Sequence, residues 1–170
     1  MDFDHYSTLA DANEYFDNRL HETAWAAATN EQRTKALYHA TEDIDSLVYA
    51  GYKRPVYVVL EADPDATDAE IAAADATQAR QFPRDEDTEV PDEVLIALYE
   101  IAYERLSGRD PDKEFENLSI TSDGAGSIRV SFDRSGMPPR HLANGIVSFT
   151  AWKYLQRYLA DNNTFFVKRV

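Results

Sequence analysis

Apolar positions recur at helical spacing in several stretches of this chain, most densely in Val90–Gly108, VPDEVLIALYEIAYERLSG. Val94, Leu95, Leu98, Ile101, Ala102 and Arg105 follow the helical period, and Ile96, Ala97, Tyr99 and Tyr103 fill most of the other side. A helix that is apolar nearly all round needs neighbours on several faces, which predicts the central helix of a bundle. Pro91 sits where a first helical residue would, Asp92 and Glu93 face the helix dipole, and Gly108 reads as the stop.

The other elements rest on similar signals. Tyr6–Leu20 predicts a helix capped by Thr8 with Asp11, its inner face marked by Leu9, Ala12, Tyr15, Phe16 and Arg19. A short helical turn holds Trp25. Thr29-Asn30-Glu31-Gln32 is a capping box that opens a long helix to about Ala50, with Ala36, Leu37, Ala40, Ile44, Leu47 and Val48 as its stripe and Gly51 ending it. Tyr52–Leu60 is β-branched and aromatic and predicts a short strand or extended arm, followed by an exposed acidic loop at Glu61–Glu70. Thr67–Glu70 is another capping box, starting an alanine-rich, weakly packing helix to about Arg80 that Phe82-Pro83 breaks. Arg84–Glu89 reads as a solvated acidic connector and Arg109–Asn117 as a polar loop. Leu118 and Ile120 alternate in Asn117–Thr121, as do Ile128, Val130 and Phe132 in Ser127–Phe132. These predict a hairpin at about 117–132. Asp133–Arg140 holds Gly136 and the Pro138-Pro139 pair, which exclude regular structure. A last helix, from near His141 to about Ala160, carries Leu142, Ile146, Phe149, Trp152, Leu155 and Leu159, with Gly145 near its start.

The pattern therefore predicts a mainly α protein: a helical bundle over residues 1–160 with an acidic insertion at about 52–80, a small β-hairpin and an extended C-terminal tail at 161–170. In that tail Phe165, Phe166 and Val167 stand beside Lys168, Arg169 and the terminal Val170. Such a tail either folds back onto the core or orders against another protein.

Composition narrows the function. The chain has 170 residues, enough for one domain with a real core. No apolar run reaches the roughly 18 residues that a membrane helix needs, and the acidic N-terminus lacks the basic and apolar regions of a signal peptide. With no cysteine there is no thiolate metal site or disulfide. The net charge is −14 and unevenly spread: residues 1–128 hold ten basic and 29 acidic side chains, whereas Arg129–Val170 holds seven basic and two acidic. A general DNA binder shows a basic footprint instead. His5, His21, His39 and His141 form no zinc-type pair, no serine lies in a nucleophile elbow, and Gly124-Ala125-Gly126 fits a turn better than a nucleotide cradle. Asp63, Asp65, Asp68 and Glu70 lack the calcium-loop pattern. These readings point to a non-enzymatic protein with no cofactor or metal. Only Lys153–Tyr158 interleaves bases with aromatics as a single-strand stacking surface would, and it fits an amphipathic helix better.

The ordered set YSTLADANEYFDNRL, Trp25, EQRTKALYHATEDIDSLVYAGYK, Gln81–Arg84, VPDEVLIALYEIAYERLSG and SIRVSFDRSG resembles a family of tailed-bacteriophage structural proteins. That family often carries the label DnaT-like single-stranded DNA-binding protein, and its architecture is similar to that of head–tail connector, or adaptor, proteins of the phage neck. The likeness covers roughly residues 6–54 and 81–134; the acidic 52–80 segment and the C-terminal region depart from it. The resemblance implies a homo-oligomeric ring of about twelve copies with side-by-side contacts that close by rotation. The ring would sit beneath the portal protein in the virion, after assembly in the host cytoplasm. It would receive tail or nozzle proteins and pass packaged double-stranded DNA without specific binding, with no membrane involved. The tail would dock on the portal through Phe165, Phe166, Val167, Lys168, Arg169 and Val170. Taken literally, the label implies instead a single-stranded DNA-binding replication protein using Lys153 and Arg157.

Overall fold

Three threonines organise the first half of the chain. The side chains of Thr8, Thr29 and Thr67 accept from the backbone N–H groups of Asp11, Gln32 and Glu70, whose own side chains reach back to the threonine N–H. Each reciprocal pair satisfies two donors that a helix start leaves bare. The helices they open are α1 (Leu9–Asp17), α3 (Asn30–Asp45) and α5 (Asp68–Asp75), with the short α2 (Thr23–Ala27) between the first two and α4 (Arg54–Ala62) before the third. The chain continues through α6 (Asp92–Leu106), α7 (Pro111–Ser119), β1 (Ser122–Ala125), β2 (Ile128–Ser131), α8 (Arg140–Ala143) and α9 (Phe149–Leu155). This computed structural model describes residues 5–119, 122–125, 128–131 and 139–160, with residues 115, 118, 119, 122–125 and 128–131 given as backbone only.

The protein is mainly helical, and α6 is its centre, as its apolar pattern requires. It packs against α3 on one side, α9 on another, and α2. Val94, Ala97, Leu98, Ile101 and Ala102 are completely buried. They meet Leu37, Ala40 and Ile44 of α3, Ala151 and Leu155 of α9, and Ile146 and Val147 just before α9 within one core. Phe16 stacks on Trp25 with ring centroids 4.2 Å apart and lies edge-on to Tyr99. Pro91 is the N-cap rather than the first helical residue, and Gly108 takes the left-handed φ of +84° that ends the last turn.

The middle of the chain departs from its expected course. α3 stops at Asp45, not near Ala50, with Ser46 as its C-cap. Residues 48–50 then run extended beside 158–160, with Ala50 N–H donating to Tyr158 O and Ala160 N–H to Val48 O. Val48 is consequently 71% exposed instead of lying on the α3 stripe. Tyr52–Leu60 forms a helix and not a strand or extended arm: Pro55 falls in the first turn of α4, where its missing N–H costs nothing, and Val56 turns into the core. The acidic insertion is thus a helical hairpin, α4 against α5, with α5 ending at Asp75 and burying no residue. Arg84, expected in a solvated connector, is 7% exposed, and Phe82 beside it is 2% exposed and packs edge-on against Tyr49 and Tyr158.

Three corrections concern the second half. Asp110 and Pro111 start a helix where a polar loop was expected. Asp112 N–H donates to the Asp110 carboxylate at 3.1 Å, and Asp112 and Glu114 lie in the favourable first turn. The expected half-buried hairpin is not supported: residues 117–119 complete α7. The backbone ladder pairs Ser122 with Ser131 through Ala125 with Ile128, so that one side of it, Ser122–Ala125, comes from the stretch the sequence gives to the loop. The last helix is two helices, separated where Gly145 takes φ of +76°, and Phe149 is 58% exposed instead of contributing to the stripe. Residues 133–138 and the whole tail 161–170 lie outside the described residues.

Candidate interaction surface

Buried and half-buried charges join elements that are distant in sequence. Glu100 of α6 receives Arg19 Nε at 2.7 Å and Arg19 Nη2 at 2.9 Å, with the Tyr15 hydroxyl donating at 2.7 Å. Burial raises the Glu100 pKa, but the hydrogen bonds from Arg19 and Tyr15 overcome it, and the net direction is down. Arg105 makes a two-pronged contact with Asp43, joining α6 to α3. Here burial wins, and the Asp43 carboxyl lies above its ordinary range in spite of Arg105. Tyr6 donates to Asp45, and burial with that contact pushes its phenol pKa well up. Arg84 donates to Ala50 O at 3.0 Å and Gly51 O at 2.8 Å, and burial lowers its pKa.

Polar contacts close the α4–α5 arm on itself and tie it to this body. Lys53 Nζ lies 3.2 Å from Asp75, and Arg80 Nη1 lies 3.0 Å from Asp45. Gln78 donates to Arg80 O and Pro83 O, both at 2.9 Å. Between Glu61 and Asp75 the arm carries six acids and no basic residue. Glu61, Asp63, Asp65, Asp68, Glu70 and Asp75 are all exposed. The Glu70 carboxylate is turned onto Thr67, and Asp63 accepts from Asp65 N–H. Among the described residues no three His, Asp or Glu side chains are grouped to hold a metal ion, and no helix is long and apolar enough to cross a membrane.

Where the arm meets the body, residues 52–54 and 83–85 interlock. Asp85 N–H donates to Tyr52 O at 2.9 Å, Arg54 N–H donates to Pro83 O at 3.1 Å, and the Asp85 carboxylate accepts from Tyr52 N–H at 2.8 Å. Gly51 has φ of +70°, which favours glycine, and a Cβ there would displace the Asp85 carboxylate from its place beside Tyr52 N–H. The interlock leaves an open groove of about 340 Å³ lined by Gly51, Tyr52, Tyr57, Leu60, Glu61 and Asp85. The sequence marks none of these residues as part of a site, because the groove exists only once Tyr52–Leu60 is helical.

The Lys153–Tyr158 segment does not present a continuous basic and aromatic face. Lys153 sits over the Phe149 ring, Arg157 pairs with Glu93 at 2.8 Å, and Tyr158 packs edge-on to the buried Phe82. His141 lies 5.5 Å from the Phe149 ring, and burial lowers its pKa. The expected docking residues Phe165, Phe166, Val167, Lys168, Arg169 and Val170 lie outside the described residues. The described chain reaches Ala160 beside Val48, on the same side of the Ala50–Tyr158 pairing as the end of α3. No family model, no curated protein and no solved structure matches this chain.

Proposed function

We propose that this protein is a neck subunit of a tailed bacteriophage, an adaptor that forms a ring with copies of itself beneath the portal, extends the DNA channel and joins the tail. In this role it catalyses no reaction and holds no cofactor. The observation that carries the reading is the acidic α4–α5 arm, its helices clasped to each other by Lys53–Asp75 and its far end held to α3 by Arg80–Asp45, while α5 gives no side chain to the core. Its carboxylates form a fixed, solvent-facing negative field. A conduit wall of that sign lets DNA pass, because a basic wall would gain counterion release by gripping phosphates. The bundle beneath it, cross-linked by Arg19–Glu100 and Arg105–Asp43, supplies the rigidity that repeated side-by-side contacts demand. The tail supplies the portal contact, with Phe165 and Phe166 as apolar anchors and Lys168 and Arg169 pairing with portal acids.

The test is co-sedimentation with purified portal rings, together with a search for the chain in purified particles. The full chain is expected in particles and on portal rings. Removal of residues 164–170 is expected to abolish docking and leave the helical circular dichroism unchanged. Undiminished docking of the truncated chain would overturn the role given to the tail, and absence from particles would overturn the adaptor reading.

A further inference from the structure

The groove at the foot of the arm has an apolar floor and an acidic rim. Tyr52, 52% exposed, Tyr57 and Leu60 form the floor, and Glu61 and Asp85 stand at its edge. Glu86 adds a third acid, accepting from the Tyr57 hydroxyl at 3.4 Å. Arg54 beside the groove is already engaged: its Nη1 donates to Asp85 O at 2.8 Å and its guanidinium lies over the Tyr57 ring. Such a groove fits a segment carrying apolar side chains followed by cations.

The same chain holds one within reach. Its last described residue, Ala160, is bonded to Val48, three residues before Gly51 at the groove wall. Three extended residues span about 10 Å. Ten residues follow Ala160, and their extended reach is about 33 Å. The first three, Asp161-Asn162-Asn163, are residues that favour chain reversal. Only a reversal of that kind would bring Thr164–Val170 within reach of 48–51 and the groove. The order Phe165-Phe166-Val167 and then Lys168-Arg169 matches the apolar floor and its acidic rim.

We propose that Thr164–Val170 docks in the groove of its own chain, with its phenylalanines on Tyr52, Tyr57 and Leu60 and with Lys168 and Arg169 against Glu61, Asp85 and Glu86. Being tethered, the segment acts at a high effective concentration and needs little intrinsic affinity. This docking rests on the adaptor reading for its purpose: the portal-seeking tail is stored on the arm and released when portal competes for it. The two apolar rings are then kept from water and from premature contacts until the ring meets its target.

The chain has no cysteine, so an engineered pair reports without interference. Leu60→Cys with Val167→Cys, and Tyr52→Cys with Val167→Cys as a second pair, are introduced in the full chain and oxidised mildly at low protein concentration. Both are expected to form a disulfide within one chain, roughly tenfold or more faster than a Leu20→Cys/Val167→Cys control, the advantage of a held neighbour over a chance encounter. Adding Phe165→Ser and Phe166→Ser is expected to remove that advantage. Rates equal to the control for both pairs, or disulfides only between chains, would overturn the proposal, the latter assigning the groove to a second copy. The oxidised protein is expected to lose portal docking and to regain it on reduction. A rapid internal disulfide with no portal docking in either state would sink the adaptor reading and leave the groove assignment standing. Portal docking without the disulfide would do the reverse.

Discussion

α6 and α5 both begin at clear sequence signals, and they are held in place by different forces. α6 buries Val94, Leu98 and Ile101 without residual exposure, whereas α5 buries nothing. The first is fixed by removing apolar surface from water, a contribution that charge screening does not weaken. The second is fixed by the Thr67 capping box at its start and by partly exposed ion pairs at and just beyond its C-terminal end, contributions that are individually small and screened. A body and an arm can therefore differ in stability within one continuous chain, and the proposed work falls on the less stable part.

The largest test of this contrast is a cavity. Leu98→Ala in α6 is expected to lower the free energy of unfolding by about 3 kcal/mol, since Leu98 has no exposed surface and its site cannot collapse freely. Ile71→Ala in α5 is expected to cost less than about 0.5 kcal/mol. Urea titrations of the two variants measure both. Equal losses would mean that α5 packs as part of the core.

Next in size is the charge joint between α6 and Arg19, just past the end of α1. Arg19→Met leaves Glu100, whose side chain is 8% exposed, without its cation and is expected to cost about 2 kcal/mol near neutral pH, below the value for a fully buried pair because Arg19 keeps some water contact. The folded-state pKa of Glu100 is depressed. Its stabilisation is thus fully present above its ordinary value of 4.5 and is lost as pH falls through the folded value. The gap between parent and Arg19→Met should accordingly shrink as the buffer is made acidic. Asp43 runs the other way: its pKa is raised, so its contribution is greatest in acid and is lost as pH rises through the folded value. A single acid titration blends the two, and only the difference between parent and variant isolates Glu100. A gap that stayed constant down to strong acid would deny Glu100 this role.

How much of this was legible depended on where each signal resides. The boxes at Thr8, Thr29 and Thr67 were readable because all their partners lie within four residues. The central place of α6 was readable because its pattern alone demands several neighbours. Tyr52–Leu60 misled because its valines and tyrosines suit a strand, whereas Pro55 at a helix start and the core pull on Val56 decided otherwise. Asp110-Pro111 is a helix start of the same kind, hidden by the polarity of Asp112, Lys113 and Glu114. Phe82 and Arg84 could not be placed from sequence: they are buried by chain segments 30 or more residues away, among them the Ala50 and Gly51 carbonyls that Arg84 binds. Val48 reads inward only if α3 runs past its real end at Asp45, and Phe149 reads inward only if one unbroken helix runs through Gly145; as the first residue of α9 it takes that helix's own register and faces out. The groove at Gly51, Tyr57 and Leu60 depends on the same misread segment, so it could not be seen before α4 was.

The smallest expected effect separates arm from body most sharply, because it makes one chemical change in both. Thr29→Ala and Thr67→Ala each remove a cap with the same reciprocal bonding, worth about 1 kcal/mol. On α3, which packs along α6, the loss should appear in global unfolding, lowering the denaturation midpoint. On α5 it should leave that midpoint almost unmoved and instead raise amide exchange across residues 68–75 by roughly fivefold, the ratio that about 1 kcal/mol commands in a local opening equilibrium. Hydrogen exchange followed by mass spectrometry reads both regions in one sample. If Thr67→Ala lowered the global midpoint as far as Thr29→Ala, the arm would open only with the bundle, and a separately tunable acidic projection would have no physical basis.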